Sequence, residues 1–63
     1  MEMKLLRRNE VLERCAISNT TLHRLIEAGQ FPPAVTITNR RVAWVEHEVE
    51  DWIACRINQA RRE

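Results

Sequence analysis

The sequence predicts a mainly α chain with one small β-hairpin, in the order helix, helix, hairpin, helix. Three observations predict it. Apolar residues recur at helical spacing in three stretches, roughly 8–15, 19–28 and 46–61. The chain's lone glycine, Gly29, and the pair Pro32-Pro33 then end the second stretch abruptly. Between that break and the third stretch, residues 34–44 are rich in β-branched side chains that bracket Asn39-Arg40.

Each element has its own local reason. Lys4-Leu5-Leu6-Arg7 reads as a short extended lead-in whose leucines tuck under the helices. Val11, Leu12 and Cys15 give the first helix, 8–15, an apolar face. Ala16 and Ile17 form a tight bend, and Ser18 is placed to cap the next helix by accepting from a free backbone N–H. Leu22, Leu25 and Ile26 make the buried stripe of the second helix, 19–28, and Gly29 falls where a helix ends in a left-handed residue. Val35 and Ile37 alternate with Thr36 and Thr38, and Val42 sits between Arg41 and Ala43. That alternation predicts a half-buried hairpin with a polar tip, packed against the helices. From 46 to 61 no breaker occurs. Val49, Trp52, Ile53, Ile57 and Ala60 make the last helix amphipathic, with its acids in the first turns and its arginines in the last. Trp44 and Trp52 are expected in the core, with Phe31 closing it below the hairpin.

Sixty-three residues lie near the lower limit for a core that folds without metals or disulfides, so 1–63 is expected to be one domain. A cleft walled by its own core is not expected at this size. No nucleophile–base pair, glycine-rich phosphate loop or ligand-spaced cluster stands in the chain, which predicts neither an enzyme nor a cofactor or metal site. Cys15 and Cys55 stand far apart as packing thiols of a reducing compartment. The segment MEMKLLRRN has no apolar run of the signal-peptide kind, and no stretch is long enough to span a membrane, so a cytoplasmic protein is expected. The net charge is only +1, but it is unevenly spread. Residues 1–45 hold seven basic side chains against four acidic ones, while residues 46–56 hold Glu46, Glu48, Glu50 and Asp51 against Arg56. A chain two-sided in this way can bind a polyanion despite its mild total.

Helix, tight bend, helix and abrupt stop over 9–32 form a helix-turn-helix, and the hairpin after it makes it a winged one. Projection at about 100° per residue puts Thr20, His23, Arg24 and Glu27 opposite the buried stripe, with Asn19 and Thr21 on the flanks. A polar outer face alone marks any solvated helix. Set between a capped bend and a wing, it is a candidate surface for a DNA major groove. Asn19, Thr20, His23 and Arg24 are then the base readers, Arg24 pairing with guanine and Asn19 with adenine. Ser18 and Thr21 are candidates for phosphate, and so are Arg7 and Arg8 at the start of the first helix. Arg40 and Arg41 at the wing tip suit the minor groove or the backbone. Glu27 carries the wrong charge for phosphate and is expected to point clear of a duplex.

The runs EVLERCAIS, TTLHRLIEAGQFP and VTITNRRVAWVEHEVEDWI resemble the AlpA-type prophage regulators, a group close to small phage excisionases and to the winged-helix domain of MerR-type regulators. The resemblance covers about 5–57. LIEAGQFP, the wing Arg40 ahead of Val42 and Trp44, and the Trp44-to-Trp52 segment carry most of it. Ala16 stands where such bends generally have glycine, Asn19 where a basic residue is common and His23 where tyrosine is common. Ala34 and Thr38 replace a common proline and glycine around the wing. The resemblance implies sequence-specific binding of double-stranded DNA by a regulator of a prophage or integrative element, acting on integrase expression. Two alternatives stay open: an excisionase that bends attachment-site DNA and contacts the integrase, and an interaction adaptor without DNA binding. The free protein is expected to be a monomer, with several copies assembling on neighbouring DNA sites.

Overall fold

The computed structural model describes residues 3–61. In chain order these form β1 (Leu5–Leu6), α1 (Arg8–Cys15), α2 (Asn19–Glu27), β2 (Val35–Thr38), β3 (Arg41–Val45) and α3 (Glu46–Ala60). The predicted order holds, with small shifts at the ends. Ala28 leaves α2 with φ −81° and ψ −2°, and β3 runs on to Val45 because Leu5 pairs with it.

Local chemistry sets the helix ends. Arg7 has no side-chain acceptor to offer α1, so Glu10 reaches back instead and its Oε1 accepts from the Arg7 N–H at 2.8 Å. Ser18 caps α2 as expected, its Oγ accepting from the Thr21 N–H at 3.2 Å. Both α1 and α2 end in the same motif. The Ala16 and Ile17 N–H groups return to Glu13 and Leu12, as those of Gly29 and Gln30 return to Ile26 and Leu25. Each motif needs one residue in the left-handed region: Gly29 at φ 71° in the second, but Ala16 at φ 57° in the first. The bend therefore keeps a glycine-like backbone and bears a Cβ within it. Val45 has no cap to give α3, and the Glu46 N–H is satisfied by the Lys4 carbonyl at 2.8 Å.

The lead-in segment is more than extended. Leu5 and Leu6 pair antiparallel with Val45 and Trp44, making a sheet ordered β1-β3-β2 with the last strand of the chain in the middle. Leu6 is fully buried, whereas Leu5 is exposed on the other face, so only one of the two leucines goes under the helices. Leu6, Val11, Leu22, Phe31, Trp44 and Val49 form the core, and Leu12, Cys15, Ile17, Leu25, Ile26, Trp52 and Ile53 pack around it.

The hairpin is not half-buried in the way its alternation predicts. β3 enters the core through Ala43 and Trp44, but every residue of β2 is exposed, Val35 and Ile37 included. Among the described residues β2 packs chiefly on β3, which anchors it in place of a covering helix. Thr38 pairs with Arg41 around Asn39-Arg40, and a bulge at Ile37 separates that pair from Thr36 and Val42. Neither turn residue has positive φ. The turn thus lacks the twist of the usual tight hairpins, and the bulge supplies it.

Trp52 also departs from expectation, being half-buried where Trp44 is wholly buried. It lies against Phe31 with ring centroids 4.9 Å apart, and the Arg56 guanidinium stands over its ring at 4.9 Å. Arg14 of α1 clamps the start of α3, reaching Glu46 at 2.9 Å and Glu50 at 3.4 Å.

Candidate nucleic-acid interface

α2 presents the outer face that its periodicity predicts. Leu22 is buried and Leu25 and Ile26 are half-buried, while Asn19, Thr20, Thr21, His23, Arg24 and Glu27 are all exposed. This face is fixed in orientation, because the helix is seated on the core along one side and capped at both ends. Among the described residues, the Arg24 side chain makes no hydrogen bond or ion pair, leaving its guanidinium fork open to an outside acceptor.

Its neighbours are more committed. His23 Nε2 and Glu27 Oε2 lie 3.3 Å apart, one turn from each other on the exposed face. Glu27 thus stands beside a predicted base reader, its carboxylate within reach of one nitrogen of the ring. Ser18 Oγ and Thr21 Oγ1 are 3.0 Å apart, so both predicted phosphate hydroxyls already serve the helix cap, each with bonding capacity to spare. Thr21 also borders an apolar cleft between α2 and α3, with Leu25, Trp52 and Ile53.

Two of the predicted residues meet at the junction of the helices. Arg8 Nη1 donates to Asn19 Oδ1 at 2.8 Å, joining the first turn of α1 to the first residue of α2. The Arg8 guanidinium also lies over the Trp44 ring, 5.5 Å from its centroid. Arg7 is exposed just ahead of α1. Arg40 occupies the wing turn, its N–H donating to Thr38 Oγ1 at 3.4 Å, and Arg41 opens β3. Both wing arginines are exposed, and among the described residues no ion pair links either to α2.

Sequence reasoning missed the Arg8–Asn19 bond and the Arg14 clamp. The clamp had a signal: Glu46 and Glu50 are one helical turn apart and need a cation on a neighbouring helix. The Arg8–Asn19 bond had none, since it depends on how the bend folds α1 onto α2. Among the described residues, no three His, Cys, Asp or Glu side chains are grouped to hold a metal ion, and no helix is long and apolar enough to cross a membrane.

A capped bend, an exposed second helix and a jutting hairpin braced by β1 define a winged helix-turn-helix protein. The family model of the prophage CP4-57 regulatory protein (AlpA) matches residues 4–57, and the chain belongs to that family. It is also similar to "Uncharacterized protein ORF88" of Enterobacteria phage P4, at 41% identity over 59 residues, which cover 94% of this chain and 67% of the phage protein. The regulatory family agrees with the resemblance carried by LIEAGQFP and the wing.

Proposed function

We propose that this protein is a sequence-specific, double-stranded-DNA-binding transcriptional regulator of a prophage or integrative element, acting in the bacterial cytoplasm on integrase expression. The exposed face of α2 carries the reading, because Arg24 is held on a rigid helix without a partner among the described residues. In this reading α2 enters the major groove with Arg24 on a guanine edge and Asn19, Thr20 and His23 beside it. Arg40, with Arg41 behind it, lies on the minor groove or the backbone. Ser18, Thr21 and Arg7 face phosphate.

A module of this size covers about 600–1,000 Å² of protein surface on DNA, too little for one copy to discriminate strongly. A free monomer that gathers in several copies on adjacent sites meets that need. Glu46 and Glu50 are engaged by Arg14 within the chain, so an acidic α3 start pairing with a neighbour's Arg40 or Arg41 has mainly Glu48 to offer.

Footprinting across the integrase promoter and the attachment site of the source element tests the proposal. Protection in the promoter with a change in integrase transcript is the expected result. Protection only in an attachment arm, with DNA bending and integrase contact, would replace regulation by an excisionase role. No protection of either region would leave the adaptor reading.

A further inference from the structure

We propose that Arg8 is a positioning residue for base recognition rather than a phosphate clamp, and that through it Asn19 reads guanine rather than adenine. The inference rests on the DNA-binding role proposed for α2. A planar guanidinium can stand over an aromatic ring while donating from its edge, and Arg8 does both. It covers Trp44 at 5.5 Å and donates to Asn19 Oδ1 at 2.8 Å. Trp44 is 1% exposed, so the platform under Arg8 is part of the core and does not move with the surface.

Pinning the oxygen decides which prong of the Asn19 amide faces outward. Pairing of an asparagine with adenine requires its oxygen to accept from N6 while its nitrogen donates to N7. Here the oxygen is turned to Arg8, and the amide nitrogen has no partner among the described residues. The outward prong is therefore an NH₂ group with two donors, which matches a base edge carrying two acceptors. Guanine offers O6 and N7 in the major groove, whereas adenine places a donor beside its N7.

Selection from a random duplex pool, with wild-type protein and two variants, tests this. Asn19→Asp keeps an oxygen for Arg8 and replaces the outward donor by an acceptor. Arg8→Lys keeps the charge, but a single ammonium cannot both cover the ring and hold the amide. The wild type should select guanine at the position Asn19 faces, in addition to the guanine assigned to Arg24. Asn19→Asp should shift that position to a base that donates there, cytosine or adenine. Arg8→Lys should lower discrimination at the same position about tenfold, with the salt dependence of binding unchanged. Circular dichroism establishes that each variant is folded, and both substitutions are mild enough to preserve the core. Adenine at the Asn19 position, or an Arg8→Lys profile identical to wild type, would overturn the inference while leaving DNA binding intact. Failure of the wild type to enrich any sequence would overturn it together with the DNA-binding role itself.

Discussion

The indole Nε1 of Trp52 donates to the main-chain carbonyl of Gln30 at 2.7 Å, tying the middle of α3 to the residue just past the Gly29 stop. The bond holds the end of α2 in place from the side opposite its exposed face. Trp52→Ala removes this tie and the packing on Phe31 together, and should cost about 3 kcal/mol. That is comparable with the whole stability of a domain this small. Trp52→Phe keeps a ring against Phe31 and loses the donor, so its cost should be nearer about 1 kcal/mol. Denaturant unfolding monitored by circular dichroism measures both. A Trp52→Ala protein as stable as wild type but unable to bind DNA would make the indole a contact instead of a brace.

Ala16 and Gly29 end their helices in one motif with unlike residues, and this predicts substitutions of opposite sign. Ala16, at φ 57°, keeps a Cβ in the left-handed region, so Ala16→Gly should stabilise the protein by about 1 kcal/mol. A Cβ at Gly29 would meet nothing within 4 Å, and Gly29→Ala should therefore cost about 1 kcal/mol through backbone strain alone. In a domain of this size each change should move the melting temperature by about 5 °C. Equal melting temperatures for wild type and Ala16→Gly would show that the bend carries no strain.

These helix ends explain why so much of the fold is legible in the sequence. Ser18, Gly29 and Pro32-Pro33 act on the residues next to them, and a local cause leaves a local mark. The β1–β3 pairing joins Leu5 to Val45 across much of the chain, and two residues are too few to display a period. Alternation in β2 correctly marks a strand and wrongly suggests that half of it is buried. A pattern of side chains states which face is apolar, not whether another element arrives to cover it. The candidate interface divides in the same way. The outward placement of Arg24 is given by helical projection alone. That Arg8 would reach the Asn19 oxygen depends on the angle between two helices, which no spacing encodes.

The two thiols should differ in reactivity. Cys55 is exposed on α3, whereas Cys15 is half-buried at the end of α1, and burial pushes its thiol pKa up. A raised pKa leaves less thiolate at mildly alkaline pH, and the thiolate is the form that reacts. Iodoacetamide at about pH 8, near the ordinary range for a thiol, should therefore label Cys55 first, with Cys15 following more slowly. Peptide mass spectrometry over a time course reads the order. Simultaneous labelling would show that the α1–α3 seam opens faster than the reagent acts.

Arg24 and Arg40 should fail differently. Arg24 stands without a partner among the described residues on the exposed face of α2, where a bidentate contact with guanine would carry sequence information. Its replacement by alanine should cost about 1–3 kcal/mol on the selected site and relax discrimination at one position. Arg40 lies in the wing turn, outside the helix that would occupy the groove. Arg40→Ala should weaken specific and scrambled duplexes alike and make the salt slope shallower by about 1. The wild-type slope itself should be roughly −3 to −4 per bound copy, from about three to five neutralised phosphates. Titrations of both variants at several salt concentrations separate the two roles, since one changes a ratio of affinities and the other a slope. If Arg40→Ala altered discrimination while Arg24→Ala lowered every affinity equally, the wing would be the reading element and α2 the anchor.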